Sequence, residues 1–220
     1  MLEITRLTVE HLAQGCVTDC PAPRIGFAVQ SDRNDAELTD AILQVGDWNV
    51  HLPQDGQPGT AYKGPALLPF TTYGVRLTVT DNTGAAAEAE TTFETGRMET
   101  PWRGQWISDP AFTFTEAKVS PVPMVFRKTI ETAKPIARAR LYATAMGIYE
   151  VELNGQKLGQ QYFAPGFTSY KSYLQYQTYD VTKLLTGYDT LTATVAGGWA
   201  VGSFVFTRKN RVTADRQALL

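Results

Sequence analysis

The chain has 220 residues, 43% hydrophobic and 19% charged, which is enough for two modest domains with proper cores and too apolar for a disordered tail. Its net charge of −2 gives no electrostatic footprint for nucleic acid. Ten Tyr, ten Phe, four Trp and eighteen Gly favour strands and turns over helices.

Glu3, Arg6 and Glu10 interrupt any apolar run in Met1 to Ala13, so the start does not read as a signal peptide. No later run is long and apolar enough to span a bilayer. The expectation is a soluble, cytoplasmic protein with no membrane or nucleic-acid partner. Cys16 and Cys20 are the only cysteines, and their spacing suits a local disulfide or half a metal site. With His11 and His51 the only histidines and no second cysteine pair, two reduced thiols and no zinc is the preferred reading.

In chain order, Arg24 to Gln30 and Ala41 to Val45 read as strands, the second running towards Trp48, a candidate core indole. Pro53 to Gly59 holds two Pro and two Gly and reads as a loop. Tyr73 to Thr80 alternates, with Val75, Leu77 and Val79 on one face and Arg76, Thr78 and Thr80 on the other. Asp81 to Gly84 is a hairpin turn, and Glu88 to Thr95 the returning strand. Leu67, Pro69, Thr71 and Tyr73 have the spacing of a tyrosine corner, in which a Tyr at a strand start bonds back to upstream backbone. Thr100 to Pro123, with four Pro and with Trp102 and Trp106, is a stiff connector whose tryptophans are expected to pack at the join.

Beyond it, Met124 to Ile130, Arg138 to Ala145, Ile148 to Leu153 and Thr190 to Ala196 read as strands, with a bend at Met146-Gly147. Asn154-Gly155 suits a type I′ turn, and Lys157-Leu158 returns as the partner strand. Asp180 to Leu185 suggests a one-turn helix capped by Asp180. Ala218 to Leu220 reads as the beginning of a strand with an exposed edge, so the second sandwich is expected to be incomplete.

The second half runs Gly147-Ile148-Tyr149-Glu150, Leu153-Asn154-Gly155, Pro165-Gly166-Phe167-Thr168-Ser169-Tyr170, Tyr176-Gln177-Thr178-Tyr179-Asp180-Val181-Thr182, then Gly197-Gly198-Trp199. This order resembles the N-terminal module of bacterial α-L-rhamnosidases. Tyr62 and Gly64, the tyrosine corner, Phe93 to Gly96 and Trp102 to Ile107 resemble the fibronectin-like domain that opens many of those enzymes. The chain departs from the family at Phe167, where a Trp or an aromatic pair is usual, and at Ala200, where Tyr often follows the Trp.

The resemblance implies an all-β fold of two β-sandwich domains. Residues 1–99 would be fibronectin type III or Ig-like, residues 100–124 a connector, and residues 125–220 a jelly-roll, galactose-binding-like module truncated at its C-terminus. It also implies that hydrolysis belongs to a downstream helical barrel of inverting type, with no catalytic residue here and a chain inactive alone. The partners implied are a rhamnose-containing glycan or glycoside and that downstream domain, with no cofactor beyond calcium as a candidate in a sugar-binding module.

The residues themselves weigh against chemistry within the chain. Glu150 and Glu152 alternate with apolar Tyr149, Val151 and Leu153, which is most simply a solvated strand face. Sugar binding is the more serious candidate, because a pyranose needs an aromatic platform and a few fixed polar groups. Asn154, Tyr170, Tyr176, Tyr179 and Trp199 are the candidate substrate-binding residues, each with a structural alternative in a turn or in packing. Three readings stay open: the accessory part of a rhamnose-releasing hydrolase, a structural or interaction sandwich pair without ligand, and an independent rhamnose-binding module.

Overall fold

The computed structural model describes residues 1–52, 59–112, 121–203, 210–212, 214 and 216–220. All of the expected Pro53 to Gly59 loop except Gly59, and part of the connector, 113–120, lie outside the described residues. The chain divides into two compact units, Met1–Pro101 and Trp102–Leu220. Both are all-β, with no helix among the described residues.

The first unit contains β1 (Leu2–Val9), β2 (Cys16–Thr18), β3 (Arg24–Ser31), β4 (Leu38–Val45), β5 (Trp48–His51), β6 (Thr60–Ala61), β7 (Thr72–Asp81) and β8 (Ala86–Thr95). They form a three-stranded sheet, β1-β3-β6, and a five-stranded sheet, β2-β8-β7-β4-β5. Alternation selects the inner face: Val75, Leu77 and Val79 of β7 are buried beside Leu43 and Val45 of β4, while Arg76 points out. Val9, Ile25 and Phe93 complete this core. Trp48 is half-buried and meets Tyr62 edge-on at 4.9 Å. The tyrosine corner is present, with the Leu68 N–H donating to the Tyr73 hydroxyl at 2.8 Å. Tyr73 stacks on Phe93 at 5.3 Å, so the corner ties the chain crossing to the core. Cys16 and Cys20 are free thiols, Cys16 buried.

The second unit contains β9 (Met124–Glu131), β10 (Arg140–Ala143), β11 (Ala145–Met146), β12 (Ile148–Leu153), β13 (Gln156–Lys157), β14 (Gln177–Asp180), β15 (Tyr188–Ala196), β16 (Val201–Ser203), β17 (Asn210–Val212) and β18 (Ala218–Leu219). A four-stranded antiparallel sheet, β13-β12-β15-β9, is accompanied by the pairs β10-β14, β11-β18 and β16-β17. Tyr149, Val151, Leu153, Ala193 and Val195 of the large sheet pack with Ala143 and Val181 into one core. Asn154 and Gly155 sit at φ 53° and 79°, the left-handed pair that a type I′ turn requires.

Two sequence expectations change in detail. Asp180 to Leu185 forms a turn rather than a helix: Asp180 ends β14, its Oδ1 accepts the Thr182 N–H at 3.0 Å as a helix cap would, and the Val181 carbonyl accepts the Leu184 and Leu185 N–H groups at 3.0 and 3.2 Å, but the chain winds no further. The last strand does not leave an open edge at Leu219, which pairs with Ala145 on one side and bridges Ile107 on the other.

Candidate functional site

The candidate residues all lie in the second unit, on β12, β14, the hairpin and loops between them, and the turn after β15. Strand alternation sends Tyr149 inward, where it is 3% exposed. Its hydroxyl lies 2.8 Å from Gln177 Oε1, 3.0 Å from the Ala143 carbonyl and 3.1 Å from the Tyr179 hydroxyl. A phenol has a single proton to give. Tyr149 therefore serves one acceptor as donor, and Tyr179 completes the group by donating to Tyr149. Burial raises the pKa of both phenols, so both remain protonated and the cluster acts as a neutral clamp between β12, β10 and β14.

Asn154 is engaged at both ends of its amide. Oδ1 accepts the Thr190 N–H at 2.8 Å, and Nδ2 donates to Asp189 Oδ1 at 2.7 Å. Asp189, fully buried, also accepts from the Thr186 hydroxyl at 2.8 Å and from the N–H groups of Thr186 and Gly187. These donors, the Asn154 amide first, hold its carboxyl below the usual range. The hairpin tip is thus bolted to the start of β15. A calcium ion takes six to eight oxygen ligands. The Asn154–Asp189 pair does not fit one, because its oxygens already serve protein donors. Among the described residues, no three or more His, Cys, Asp or Glu side chains converge as a metal group.

Trp199 and Tyr170 do come together. Gly197 breaks β15, and a β-carbon there would collide with the Val201 carbonyl oxygen, so the tight turn that presents Trp199 requires glycine. Phe163 and Phe167 meet the half-buried Trp199 edge-on at 5.9 and 5.8 Å. Tyr170 lies beneath, edge-on to Phe167 at 6.5 Å and buried with Ala200 and Val201. The loop carrying the two phenylalanines is pinned by Tyr149 N–H to the Ala164 carbonyl, 2.7 Å, and by Gly166 N–H to the Phe163 carbonyl, 2.9 Å. Phe163 and Phe167 are 60% and 61% exposed, so the cluster is a surface face of three rings above one buried phenol. Thr168, next after Phe167 in the chain, is buried with an Oγ1 that has no hydrogen-bond partner.

Tyr176 stands apart from that face, against Tyr142 and edge-on to Trp102 at 5.6 Å. The five residues singled out from the sequence therefore occupy four settings, and only Tyr170 and Trp199 share one. Phe163 was missed because it sits in a loop with no periodicity to mark its exposure. Glu150 is ion-paired to Lys157 at 2.7 Å on the solvent face of its strand. An open groove of about 740 Å³ on the first unit, lined by Gln44, Arg76, Glu90 and Thr92 over Gly46 and Gly74, has its Arg76 bonded to Glu90 at 2.6 Å.

Residues 4–99 match the family described as the Rha78A-like N-terminal immunoglobulin domain, and residues 134–220 match the α-L-rhamnosidase N-terminal domain. An α-L-rhamnosidase of Streptomyces avermitilis is 52% identical over 71 residues, which is 32% of this chain and 7% of that protein. One from Formosa agariphila is 28% identical over 175 residues, 77% of this chain and 18% of the relative. The solved native α-L-rhamnosidase of Aspergillus terreus superimposes with a TM-score of 0.88 at 25% identity, over 100% of this chain and 27% of that one. The chain thus spans less than a fifth of the length of these curated relatives.

Proposed function

The chain belongs to the α-L-rhamnosidase N-terminal families over both of its units, and on that premise we propose that it is the accessory part of a glycoside hydrolase releasing terminal α-L-rhamnose. The observation that carries this reading is the match of both units, in order, to the domains that begin such enzymes. In this reading the cutting carboxyl pair sits on a separate catalytic domain of the same protein. The two sandwiches orient that domain, and the second contributes to recognising the rhamnose-bearing substrate.

The geometry of the second unit supports an accessory role. The Tyr149 and Tyr179 hydroxyls clamp β12 to β14, and the buried Asp189 carboxylate bolts a turn. The test is hydrolysis of 4-nitrophenyl α-L-rhamnopyranoside by the longer protein that contains this chain, with and without residues 1–220. Release by the longer protein is expected, with lower thermal stability or lower kcat/KM once these residues are deleted. A longer protein that leaves the rhamnoside intact overturns the reading.

An independent rhamnose-binding module is the second reading, favoured by the exposed rings of Phe163 and Phe167 beside Trp199. Stacking on a sugar's C–H face suits such rings. Titration of L-rhamnose into the chain, with calcium and with a chelator, tests it. Heat or chemical-shift changes at millimolar sugar, lost in Trp199→Ala, are the result it requires.

A further inference from the structure

The outer face of the five-stranded sheet carries a trough. β7 and β8 pair Gly74 with Thr92 and Arg76 with Glu90, and β4 brings Gln44 opposite Arg76. Gly46 N–H donates to the Gly74 carbonyl at 3.1 Å, which carries the pairing of β4 with β7 one step past Val45. At this end of the face Gly46 and Gly74 contribute only backbone. The result is the groove of about 740 Å³ lined by the Gln44, Arg76 and Glu90 side chains and by Ala13 to Gly15.

Nothing within the described residues requires a glycine at position 74. Glycine inside a strand weakens it, and marks a bulge, a bend or a place where a ligand or another backbone comes close. β7 pairs with β8 in unbroken register here, which leaves no bulge or bend to explain. Gly74 has no left-handed φ, and a β-carbon built on it meets nothing within 4 Å. What remains is a close approach by something that the described residues do not supply.

The chemistry of the trough says what approaches. Arg76 Nε and Nη2 both bond Glu90 Oε1, at 2.6 and 2.5 Å. Arg76 Nη1 and Glu90 Oε2 bond no other described residue, so a donor and an acceptor stand side by side, the complement of a peptide group's C=O and N–H. No aromatic ring lines the trough, so it lacks the platform on which a pyranose stacks. The face is acidic: Asp40, Glu88 and Glu90 share the outer side of β4, β7 and β8 with Arg76, and His51 of β5 lies 2.9 Å from Asp40. The whole unit is acidic too. Residues 1–101 hold six Lys and Arg against fourteen Asp and Glu, whereas residues 102–220 hold fourteen against eight. An extended polypeptide segment bearing Lys or Arg matches both the bare floor and the charge.

We infer that this trough is the docking surface for an extended, Lys- or Arg-bearing segment of the catalytic domain of the parent glycosidase. The inference rests on the accessory reading for the source of that segment. This chain spans 7% and 18% of two curated relatives, so most of such a protein lies outside these two units. A segment tethered in the same polypeptide meets the trough at high effective concentration, and modest contacts then suffice to hold it.

The test places Thr92→Cys in the trough, in the 220-residue chain and in the longer protein, and follows iodoacetamide labelling by peptide mass mapping. Ala86→Cys, exposed at the far end of β8, is the control. A segment docked about nine-tenths of the time slows labelling of Thr92→Cys roughly tenfold in the longer protein. Ala86→Cys is expected to label alike in both. Gly74→Val fills the floor, and a β-branched side chain with open space suits a strand, so the 220-residue chain carrying it should melt no lower than the parent. In the longer protein the same substitution should restore fast labelling of Thr92→Cys. The double variant Asp40→Asn, Glu88→Gln should weaken the protection, as should high salt.

Equal labelling of Thr92→Cys in the two proteins, or protection that survives Gly74→Val, overturns the docking. Protection indifferent to both the double variant and salt overturns the cationic segment. Protection that grows with protein concentration assigns the trough to a second copy and overturns the inference. Equal labelling in a longer protein that hydrolyses α-L-rhamnosides sinks the trough alone. Protection in a longer protein that leaves rhamnosides intact sinks the accessory reading alone.

Discussion

The first unit is regular where the second is not. β7 and β8 run ten residues each and pair without a bulge, whereas β10, β11, β13 and β14 are two to four residues long. Eight sizeable apolar side chains of the first unit are fully buried: Val9, Ile25, Leu43, Val45, Val75, Leu77, Val79 and Phe93. In the second unit only Val195 and Val201 reach that state among the described residues, and Gln217 joins them. Long ladders place a dense apolar layer and leave little irregular surface. Short ladders need polar bolts, such as Tyr149 and Asp189, and free the intervening loops to display Phe163 and Phe167. The same contrast appears in charge, acidic in the first unit and cationic in the second. Under the accessory reading proposed above, the difference fits scaffold duty for the first unit and recognition for the second.

The comparison is broken most severely from the dense core. Leu43→Ala removes a fully buried side chain between β5 and β7 and is expected to destabilise the first unit by about 2–5 kcal/mol. Calorimetry or urea unfolding followed by unit-specific amide signals checks it. Only the first unit's transition should move, and an equal shift of both would remove the distinction.

The polar bolts come next, through pH. Asp189 has a folded pKa below that of an unfolded Asp, about 3.9. Its contribution is therefore present above about pH 4 and is lost as pH falls through the lowered folded value. Asp189→Asn should lower the second unit's melting temperature at pH 7, by an amount that shrinks as pH drops below about 4. Asp81 plays the matching part in the first unit, accepting the Thr83 hydroxyl at 2.6 Å and the N–H groups of Thr83 and Ala85, with its pKa lowered chiefly by Thr83. Asp81→Asn should show the same convergence at acid pH in the first unit's transition. Scanning calorimetry between pH 7 and pH 2.5 reads both.

The phenols sharpen the comparison further. Tyr149→Phe removes the one donor that Gln177 Oε1 and the Ala143 carbonyl share and the acceptor of the Tyr179 hydroxyl, and should cost about 1–3 kcal/mol. Tyr73→Phe removes the corner bond to the exposed Leu68 N–H, which water replaces, and should cost about 0.5–1.5 kcal/mol. Both are read from denaturant midpoints. The smallest effect belongs to Phe167→Ala. Its ring is 61% exposed, so stability should stay within about 0.5 kcal/mol of the parent. A larger loss would make the three-ring face part of a core rather than a display.

Much of the first unit was legible because its signals are local and periodic. Val75, Leu77 and Val79 declare a buried face by alternation, and Tyr73 declares its corner by spacing. Asn154-Gly155 likewise announced its hairpin through turn chemistry. The site was less legible. Asn154 is the right residue for a turn and for a ligand alike, and nothing in sequence shows Asp189, 35 residues on, taking its amide. Asp180 makes the i to i+2 bond of a helix cap, and the sequence does not show that a turn rather than a helix follows it.

The central proposal is that the first unit fastens and the second recognises, and that the bond-breaking carboxyls lie on another domain. Incubating the purified 220-residue chain with 4-nitrophenyl α-L-rhamnopyranoside tests it most directly. The account predicts nitrophenol release no faster than in buffer. Sustained turnover by this chain, abolished by substituting one of its own carboxylates such as Glu150→Gln or Glu152→Gln, would contradict it.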